Sequence, residues 1–380
     1  MNLHQRRLLS RRGLFFVVIG PLVIWLVQLV LTTVLRPPVD ATPLVPSIRE
    51  AKASVNGAFV VGFATDDDLP TALHIIDMTT RRVTTLATEP LSAWYKPAVS
   101  NDGRWVAAHS ARSLTILLYD THSGAKRAAL PYTYTVDDHT TGVFLFITPD
   151  NANVILIQGR QLFNWRISDG SLVWHREGIL AITSRSAAIS PDGTLLAAVA
   201  YTGDSLEVWR LADGLHLAEY PMDAQAASVS FSGDGTTLAI GFQDSGAGVI
   251  EIWDVRDATL TRRSRTAIGT WAITSALSPD GRWLVTGSTH GGGGWVNLLP
   301  NPPSMTDPFV VWRVTDRGVE FHQRGDASLD FEPFFTPAGV PYTTSPLAPI
   351  AVLPRIATLP WLWLGLLSML VVPLVWKVWR

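Results

Sequence analysis

The chain has 380 residues, of which 47% are apolar and 16% charged, and its formal net charge is −2 at pH 7. A chain of this length can bury a large core, and a mean hydropathy of +0.21 indicates more apolar sequence than one soluble domain needs. The near-neutral charge excludes nucleic acid as an expected partner, because such binding usually needs a basic patch. No cysteine is present, which excludes disulfides, a thiol nucleophile and cysteine metal clusters.

The amino-terminal region predicts a membrane span. Residues 14–35, LFFVVIGPLVIWLVQLVLTTVL, are 22 residues without a charge, enough to cross a hydrocarbon core about 30 Å thick. The basic tail, residues 1–13, carries Arg6, Arg7, Arg11 and Arg12, so the positive-inside rule keeps it in the cytoplasm. A cleaved signal peptide is the competing interpretation, but the apolar stretch exceeds the roughly 7 to 15 residues typical of signal peptides.

A turn tripeptide recurs seven times in residues 51–353. The tripeptides are Val55-Asn56-Gly57, Asn101-Asp102-Gly103, Pro149-Asp150-Asn151, Pro191-Asp192-Gly193, Gly233-Asp234-Gly235, Pro279-Asp280-Gly281 and Pro337-Ala338-Gly339. Their spacing of 42 to 58 residues is in the range of a propeller blade. After each turn the pattern predicts a buried strand, then a strand ending in pairs such as Trp209-Arg210, then a tight turn and a final strand. Each unit is therefore predicted to be a four-stranded antiparallel blade.

The segments LSPDGRWLVTGS and VIEIWDVRDA resemble two halves of a WD40 repeat, and the resemblance covers roughly residues 43–353. It implies an all-β fold, a seven-bladed β-propeller, here flanked by one predicted transmembrane helix at each end. The Gly-His dipeptide of that family is absent, and only one blade keeps Trp-Asp, at Trp253-Asp254. TolB-like propellers with Ser-Pro-Asp-Gly turns are the nearest alternative and share the architecture. We expect the tryptophans to pack between blades rather than to bind a cofactor, and we expect no cofactor.

The seventh unit lacks a clear Trp-Asp strand. Residues 36–50 form a proline-rich linker, and a propeller ring brings its first and last strands side by side. We therefore expect a strand from near Leu44 to Glu50 to pair with strands in residues 331–352 and complete the seventh blade.

The carboxyl-terminal region predicts a second span. Residues 356–376, IATLPWLWLGLLSMLVVPLVW, are 21 residues with Trp361, Trp363 and Trp376 near the ends, as in an interfacial aromatic belt. A buried soluble helix is the alternative for either apolar segment. The tail, residues 377–380, carries Lys377 and Arg380, which fits a cytoplasmic end. The sequence thus predicts two spans in a cell membrane, both termini cytoplasmic and the propeller on the extracytoplasmic side.

Motifs for catalysis or metal binding are weak. The sequence has no Gly-x-Ser-x-Gly elbow, no phosphate loop ending in Lys-Ser/Thr and no His-Glu-x-x-His. The acidic run Asp66 to Asp68 lacks the spaced ligands of a calcium loop, and Asp137, Asp138 and His139 form no recognised metal motif. The run GGGGW at residues 291–295 is better explained as a loop than as a phosphate cradle. No metal ion is expected.

Two loop insertions are candidate binding elements. In the family that the chain resembles, Asp-Gly turns lie on one face of the ring and the longer loops on the other, and loops on a rigid scaffold commonly carry function. Residues 289–308 offer Trp295, Asn297, Leu298 and Leu299, and the segment LPYTYTVDDHTTG offers Tyr132, Tyr134 and His139. Exposed aromatic residues are favoured anchors for protein partners. Trp295 folding back onto the ring is the alternative.

The sequence predicts a membrane-anchored extracytoplasmic β-propeller of a bacterial type that acts as a non-catalytic protein-interaction scaffold. Its partners are a protein of unknown identity and, through the two spans, the lipid bilayer. The alternative function is a propeller enzyme or small-ligand sensor that uses the central channel. An enzyme would need convergent carboxylates or histidines at the channel mouth, and no repeated polar position of that kind can be identified in the sequence.

Overall fold

The computed structural model describes most of the chain between residues 48 and 352. The described residues are 48–64, 69–133, 143–159, 161–177, 182–200, 204–223, 225–243, 248–268, 274–287, 309–326, 333–344, 347–349 and 351–352. They all belong to one structural unit, residues 42–352. Among these residues no helix has the length and apolar character to span a bilayer. The two predicted spans, residues 14–35 and 356–376, lie outside the described part of the chain.

The described strands form seven antiparallel sheets that follow one another along the chain. The first sheet contains β1 (Arg49–Ala53), β2 (Phe59–Phe63), β3 (Ala72–Asp77) and β4 (Val83–Ala87). The second contains β5 (Ala98–Val99), β6 (Trp105–His109), β7 (Thr115–Asp120) and β8 (Lys126–Pro131). The third contains β9 (Val143–Ile147), β10 (Asn153–Gln158), β11 (Gln161–Arg166) and β12 (Leu172–Glu177). The fourth contains β13 (Ile182–Ile189), β14 (Leu195–Ala200), β15 (Ser205–Arg210) and β16 (Leu215–Pro221).

The remaining three sheets vary in strand number. The fifth contains β17 (Gln225–Phe231), β18 (Thr237–Gln243), β19 (Val249–Arg256) and β20 (Thr259–Ala267). The sixth contains β21 (Thr274–Leu277), β22 (Trp283–Gly287), β23 (Phe309–Thr315), β24 (Gly318–Asp326) and, from the end of the described chain, β28 (Ala351–Val352). The seventh contains β25 (Pro333–Phe335), β26 (Pro341–Thr344) and β27 (Leu347–Pro349). Five of the sheets therefore have the expected four strands, whereas the sixth has five described strands and the seventh three.

The sheets close into a ring. The first strand of each sheet contacts the next sheet, from β1 against β5 through to β21 against β25. The ring ends where it began, because β26 of the seventh sheet contacts β1 of the first. The seven sheets are thus arranged as the blades of a β-propeller, with the first strand of each blade innermost.

The closure differs from the expected pairing of residues 44–50 with the last blade. Residues 44–47 lie outside the described residues, and Arg49 and Glu50 belong to β1. Strand β1 pairs with β2 inside the first blade, with Lys52 opposite Val61. The physical reason is local: β1 and β2 are joined by a short turn at Gly57, so their pairing needs no long loop closure. In the described residues the first and seventh blades meet by packing rather than by sharing a strand.

The strand order separates two faces of the ring. Because neighbouring strands are antiparallel, the connections from first to second and from third to fourth strand lie at one end of each blade. We call this end the turn face, since it carries the tripeptides and tight turns predicted from the sequence. The connections from second to third strand, and from one blade to the next, lie at the other end, which we call the loop face.

One side chain organises each turn between the first two strands. A Ser or Thr hydroxyl donates a hydrogen bond of 2.5 to 2.8 Å to the Asp or Asn two residues later. The same hydroxyl oxygen accepts from the backbone N–H that opens the second strand, at 2.9 to 3.1 Å. These six hydroxyl residues are Ser54, Ser100, Thr148, Ser190, Ser232 and Ser278. At Asp280, the hydrogen bond from Ser278 lowers the pKa of the carboxyl, so the turn holds the ionised form.

The turns of successive blades also touch one another. The backbone N–H of Asn56 donates to Oδ1 of Asn101 at 3.0 Å, and the backbone N–H of Asn101 donates to Oδ1 of Asn151 at 2.9 Å. These bonds connect the first, second and third blades at the turn face. Asn151 has a φ of 60°, so it takes the left-handed conformation that glycine takes in the other turns.

The prediction that tryptophans pack between blades is confirmed for the four at the ends of third strands. Trp165, Trp209, Trp253 and Trp312 are buried, and each lies in a cluster with apolar residues of the preceding blade. Trp253, for example, packs with Leu206 and Val208. Two indole N–H groups donate to a buried carboxylate two residues earlier, Trp209 to Glu207 and Trp253 to Glu251, both at 3.0 Å. The indoles thus bury their rings without leaving their N–H groups unpaired.

We predict that Gly57→Ala destabilises the ring more than Gly124→Ala does. Both glycines have nearly the same φ, +69° and +68°, so each alanine should cost about 1 kcal/mol in left-handed backbone. A Cβ at Gly57 would lie 1.9 Å from the carbonyl oxygen of Phe335 in the seventh blade, whereas Gly124 has open space. Gly57→Ala should therefore lower the free energy of unfolding by about 3 kcal/mol. Thermal denaturation of the full-length variants, followed by circular dichroism, measures the difference, and equal melting temperatures would contradict it.

Candidate interaction surfaces

The structure describes one of the seven side chains that the two loop insertions offer to a partner. Tyr134 and His139 lie outside the described residues, as do Trp295, Asn297, Leu298 and Leu299. The Asp66 to Asp68 run, the Asp137–His139 cluster and the GGGGW segment lie outside them too. In the described part of the chain, no three His, Asp or Glu side chains lie together as metal ligands would.

Tyr132 is held against the ring rather than presented as a free loop side chain. Its ring is half-buried and packs edge-on against Phe163, with 6.5 Å between the ring centroids. Its hydroxyl lies 3.3 Å from Nδ1 of His109, and its backbone N–H donates to the carbonyl oxygen of Leu114. Tyr132 therefore links the second blade to the third at the loop face.

His109 is a buried histidine at the loop-face end of β6. It is 1% exposed, and its ring lies between those of Tyr95 and Tyr132, with centroids 4.6 and 5.7 Å away. Its Nε2 has no hydrogen-bond partner among the described atoms. Because burial penalises the charged imidazolium, the pKa of His109 is lowered to about 3. The imidazole of His109 is neutral throughout the physiological pH range, and it packs between the two tyrosine rings.

Three exposed apolar side chains lie on the loop face of the first two blades, and the sequence analysis did not single them out. Trp94 is 84% exposed, Leu69 59% and Leu114 51%. Leu69 lies between β2 and β3, Leu114 between β6 and β7, and Trp94 in the connection from the first blade to the second. We call Leu69, Trp94 and Leu114 the apolar patch. Single exposed apolar residues are common, and here three of them lie on one face of two neighbouring blades.

Backbone hydrogen bonds fix the loops that carry the apolar patch. Leu91 N–H donates to the carbonyl of Pro70, next to Leu69, and Ser92 N–H donates to the carbonyl of His109, both at 2.9 Å. Ala111 N–H donates to the carbonyl of Pro90 at 3.0 Å. The connection between the two blades is thus tied to the second-to-third strand loop of each. The loops that carry the apolar patch are therefore fixed to the ring by backbone hydrogen bonds.

The turn face has a different feature, a cavity in the centre of the ring. Its volume is about 390 Å³, and residues of the first strands and their turns line it. The lining includes Phe146, Phe231, Phe334 and Phe335 together with hydroxyl and amide groups. Lys52 also lines it, with Nζ donating to the carbonyl of Leu145 at 2.7 Å and lying 3.7 Å from the centroid of the Phe146 ring. A cavity of this size and mixed character can hold a small molecule or a partner's side chain.

Buried charge in the fifth blade has a structural explanation. Glu251 is buried, and its Oε1 accepts from Arg262 at 3.0 Å and from Arg265 at 2.9 Å. Its Oε2 accepts from the Trp253 indole at 3.0 Å. The carboxylate thus has three donors, which is how a buried charge is tolerated.

We predict that His109 makes the folded chain lose stability as the pH falls. The folded pKa is about 3 and the unfolded value is near 6.5, so between these values the unfolded state binds the proton that the folded state excludes. The stability that depends on neutral His109 is fully present above pH 6.5 and is lost as the pH drops toward 3. The loss at pH 5 should be about 2 kcal/mol.

The measurement is thermal denaturation of the full-length chain between about pH 7 and pH 5. His109→Phe keeps an aromatic ring in the pocket and should flatten the pH dependence by that amount. His122→Phe, in the exposed turn after β7, is the control and should keep the wild-type slope. Equal slopes for wild type and His109→Phe would show that His109 is not the group responsible.

The chain is similar to known proteins in fold and not in sequence. Neither a protein-family model nor a curated protein sequence matches the chain. Among solved structures, hydrazine synthase of Kuenenia stuttgartiensis matches with a TM-score of 0.57 at 14% identity, covering 81% of this chain and 96% of that one. The C-terminal WD40 domain of Sif2 matches with a TM-score of 0.54 at 13% identity, covering 80% and 81%.

A third match is the β-propeller domain of Myceliophteria thermophila Cps50 (Swd1). Its TM-score is 0.53 at 12% identity, and the match covers 79% of this chain and 93% of that domain. At these identities the likeness concerns the fold alone. Together with the closed ring of seven antiparallel sheets, it shows that the chain has the β-propeller fold found in WD40 domains.

Proposed function

We propose that this chain is a membrane-anchored, extracytoplasmic β-propeller that acts as a non-catalytic protein-interaction scaffold. The observation that carries the proposal is the closed ring, since its hydrogen-bonded turns and interlocked blades hold two broad faces in fixed geometry. Loops and side chains presented on such a frame lose little conformational freedom when a partner binds. The similarity in fold to the WD40 domains of Sif2 and Cps50 supports a scaffold of this kind.

The membrane anchoring rests on the sequence. The uncharged segments 14–35 and 356–376 flank the propeller unit, and each has enough residues to span a bilayer. Four arginines precede the first segment, and the positive-inside rule then leaves the propeller outside the cytoplasm. A scaffold held in this way works at the membrane surface, so its protein partner must also reach that surface.

A small-ligand sensor or propeller enzyme is the second candidate function. The specific observation in its favour is the cavity of about 390 Å³ at the turn face, with four phenylalanines and several polar groups in its lining. Hydrazine synthase, one of the proteins of similar fold, shows that the fold is compatible with an enzyme. We favour the scaffold because the described cavity lining contains no convergent carboxylates or histidines.

We predict that Ser123→Cys is labelled from outside the cell. The chain has no native cysteine, so a single thiol reports its own position, and Ser123 is exposed in the tight turn between β7 and β8. A membrane-impermeant maleimide should label it in intact cells or spheroplasts. Ser10→Cys, in the basic tail, is the matched control and should be labelled only after lysis. Labelling of Ser123→Cys only after lysis would overturn the extracytoplasmic placement.

We predict that a photocrosslinker at position 295 captures a discrete protein in cells. Trp295 lies in the longest insertion between a second and a third strand, and a probe at Asp213 on the turn face is the control. An adduct from position 295 alone, identified by mass spectrometry, would support the scaffold and name its partner. An adduct from position 213 alone would contradict the loop-face site. No adduct from either position would favour a ligand in the central cavity.

A further inference from the structure

The sequence contains one Asn-Gly pair, Asn56-Gly57, in the turn between β1 and β2. Asparagine before glycine is the asparagine most prone to lose its side-chain amide, because glycine has no side chain to obstruct attack by its backbone nitrogen. The Asn56 side chain is exposed to water. The equivalent turns of the second to sixth blades carry an aspartate instead, at Asp102, Asp150, Asp192, Asp234 and Asp280. Among these six turns, only the first has an amide to lose.

Hydrogen bonds hold both groups that would react. Oδ1 of Asn56 accepts from the Ser54 hydroxyl at 2.8 Å and from the backbone N–H of Ala58 at 3.0 Å. Nδ2 of Asn56 donates to the carbonyl oxygen of Asn101 at 3.4 Å. The backbone N–H of Gly57 donates to the carbonyl oxygen of Ser54 at 2.9 Å. The side-chain amide and the nitrogen that would attack it are therefore both fixed by the turn.

Deamidation is incompatible with these hydrogen bonds. The backbone nitrogen of Gly57 attacks Cγ of Asn56, the bond from Cγ to Nδ2 breaks, and Nδ2 leaves as ammonia with the proton that Gly57 gives up. The resulting cyclic imide has no N–H at Gly57, so the bond to the Ser54 carbonyl is lost. Cγ must also move to bonding distance of the Gly57 nitrogen, away from the donors that hold Oδ1. The turn has to open before the reaction proceeds.

The two products of the imide differ in how they fit the ring. Water that cleaves the imide at Cγ leaves aspartate, and the second blade shows that aspartate fits such a turn. Asp102 accepts from Ser100 at 2.5 Å and from the backbone N–H two residues later at 3.0 Å. Water that cleaves it at the main-chain carbonyl leaves isoaspartate, which adds one methylene to the backbone before Gly57. Gly57 lies so close to the Phe335 carbonyl that a Cβ would be 1.9 Å from it, so a lengthened backbone has no room there.

We propose that Asn56 is a deamidation site that the closed ring protects and that reacts only when the turn between β1 and β2 opens. The isoaspartate product then keeps Gly57 from returning to its contact with Phe335. A chain modified in this way cannot restore the junction between the first and seventh blades. The modification therefore makes a transient opening of the ring irreversible.

The first test compares the folded and unfolded full-length chain. The chain is incubated in detergent at mildly alkaline pH, with and without guanidinium chloride, and peptide mapping by liquid chromatography and mass spectrometry follows aspartate and isoaspartate at position 56. Deamidation should be at least about tenfold slower in the folded chain, since only the opened fraction reacts. Equal rates in the folded and unfolded chain would overturn the protection.

The second test loosens the turn without changing the Asn-Gly pair. Ser54→Ala removes the hydroxyl that donates to Asn56 and accepts from the backbone N–H of Phe59, so the folded-state rate should rise about tenfold. Ser278→Ala is the matched control, because its hydroxyl makes the same two bonds in the sixth blade. That variant should stay within about twofold of the wild-type rate. Equal acceleration by both variants would assign the reaction to global unfolding, and no acceleration by either would exclude control by the turn; both results would overturn the proposal.

The third test separates the two products. Asn56→Asp reproduces the aspartate product and should melt close to the wild type. After ageing of Ser54→Ala and a mild heat step, chains with isoaspartate should be enriched in the precipitate, whereas chains with aspartate should stay in solution. Equal distribution of the two products would overturn the claim that isoaspartate blocks closure of the ring.

Discussion

Apolar packing between neighbouring blades holds the ring of seven sheets together. A single sheet of this chain has apolar side chains on both faces, and they can be buried only between two neighbours. The first and last blades would each expose one such face if the chain did not close on itself. The contact of Gly57 with the Phe335 carbonyl shows how tightly the last and first blades meet, since no side chain fits there. Closure by packing makes every blade a necessary part of the fold.

The hydrogen bonds of the turn face explain why these residues recur in each unit. A hydroxyl that both donates to the Asp and accepts from the next strand replaces two contacts with water, and it sets the geometry in which the glycine turns the chain. The aspartates of these turns are prominent in the sequence, but each turn also depends on the hydroxyl two residues before the aspartate. Its signal was available in the repeated Ser-x-Asp-Gly and Thr-x-Asp-Asn patterns. The asparagine bonds from blade to blade extend the same network around part of the ring.

The two faces of the ring have different chemistry, and this difference bears on function. The turn face is built from short, hydrogen-bonded turns around a central cavity. The loop face carries the longer connections, the buried His109 with its aromatic neighbours, and the exposed apolar patch.

The blade pattern could be predicted from the sequence alone, because strand and turn signals are local: Gly281 with its preceding Asp, and Trp253 at the end of a buried strand, depend on near neighbours. It also predicted correctly that the tryptophans of the third strands, Trp165, Trp209, Trp253 and Trp312, are core residues, whereas Trp94 is exposed. The folded ring was needed to establish that Arg49 pairs within the first blade, that Tyr132 packs on Phe163, and that Leu69, Trp94 and Leu114 share a face. Those outcomes depend on contacts between residues far apart in the chain. Residue type and periodicity carry no information on which loop lies beside which, so exposure of a loop side chain cannot be predicted from them.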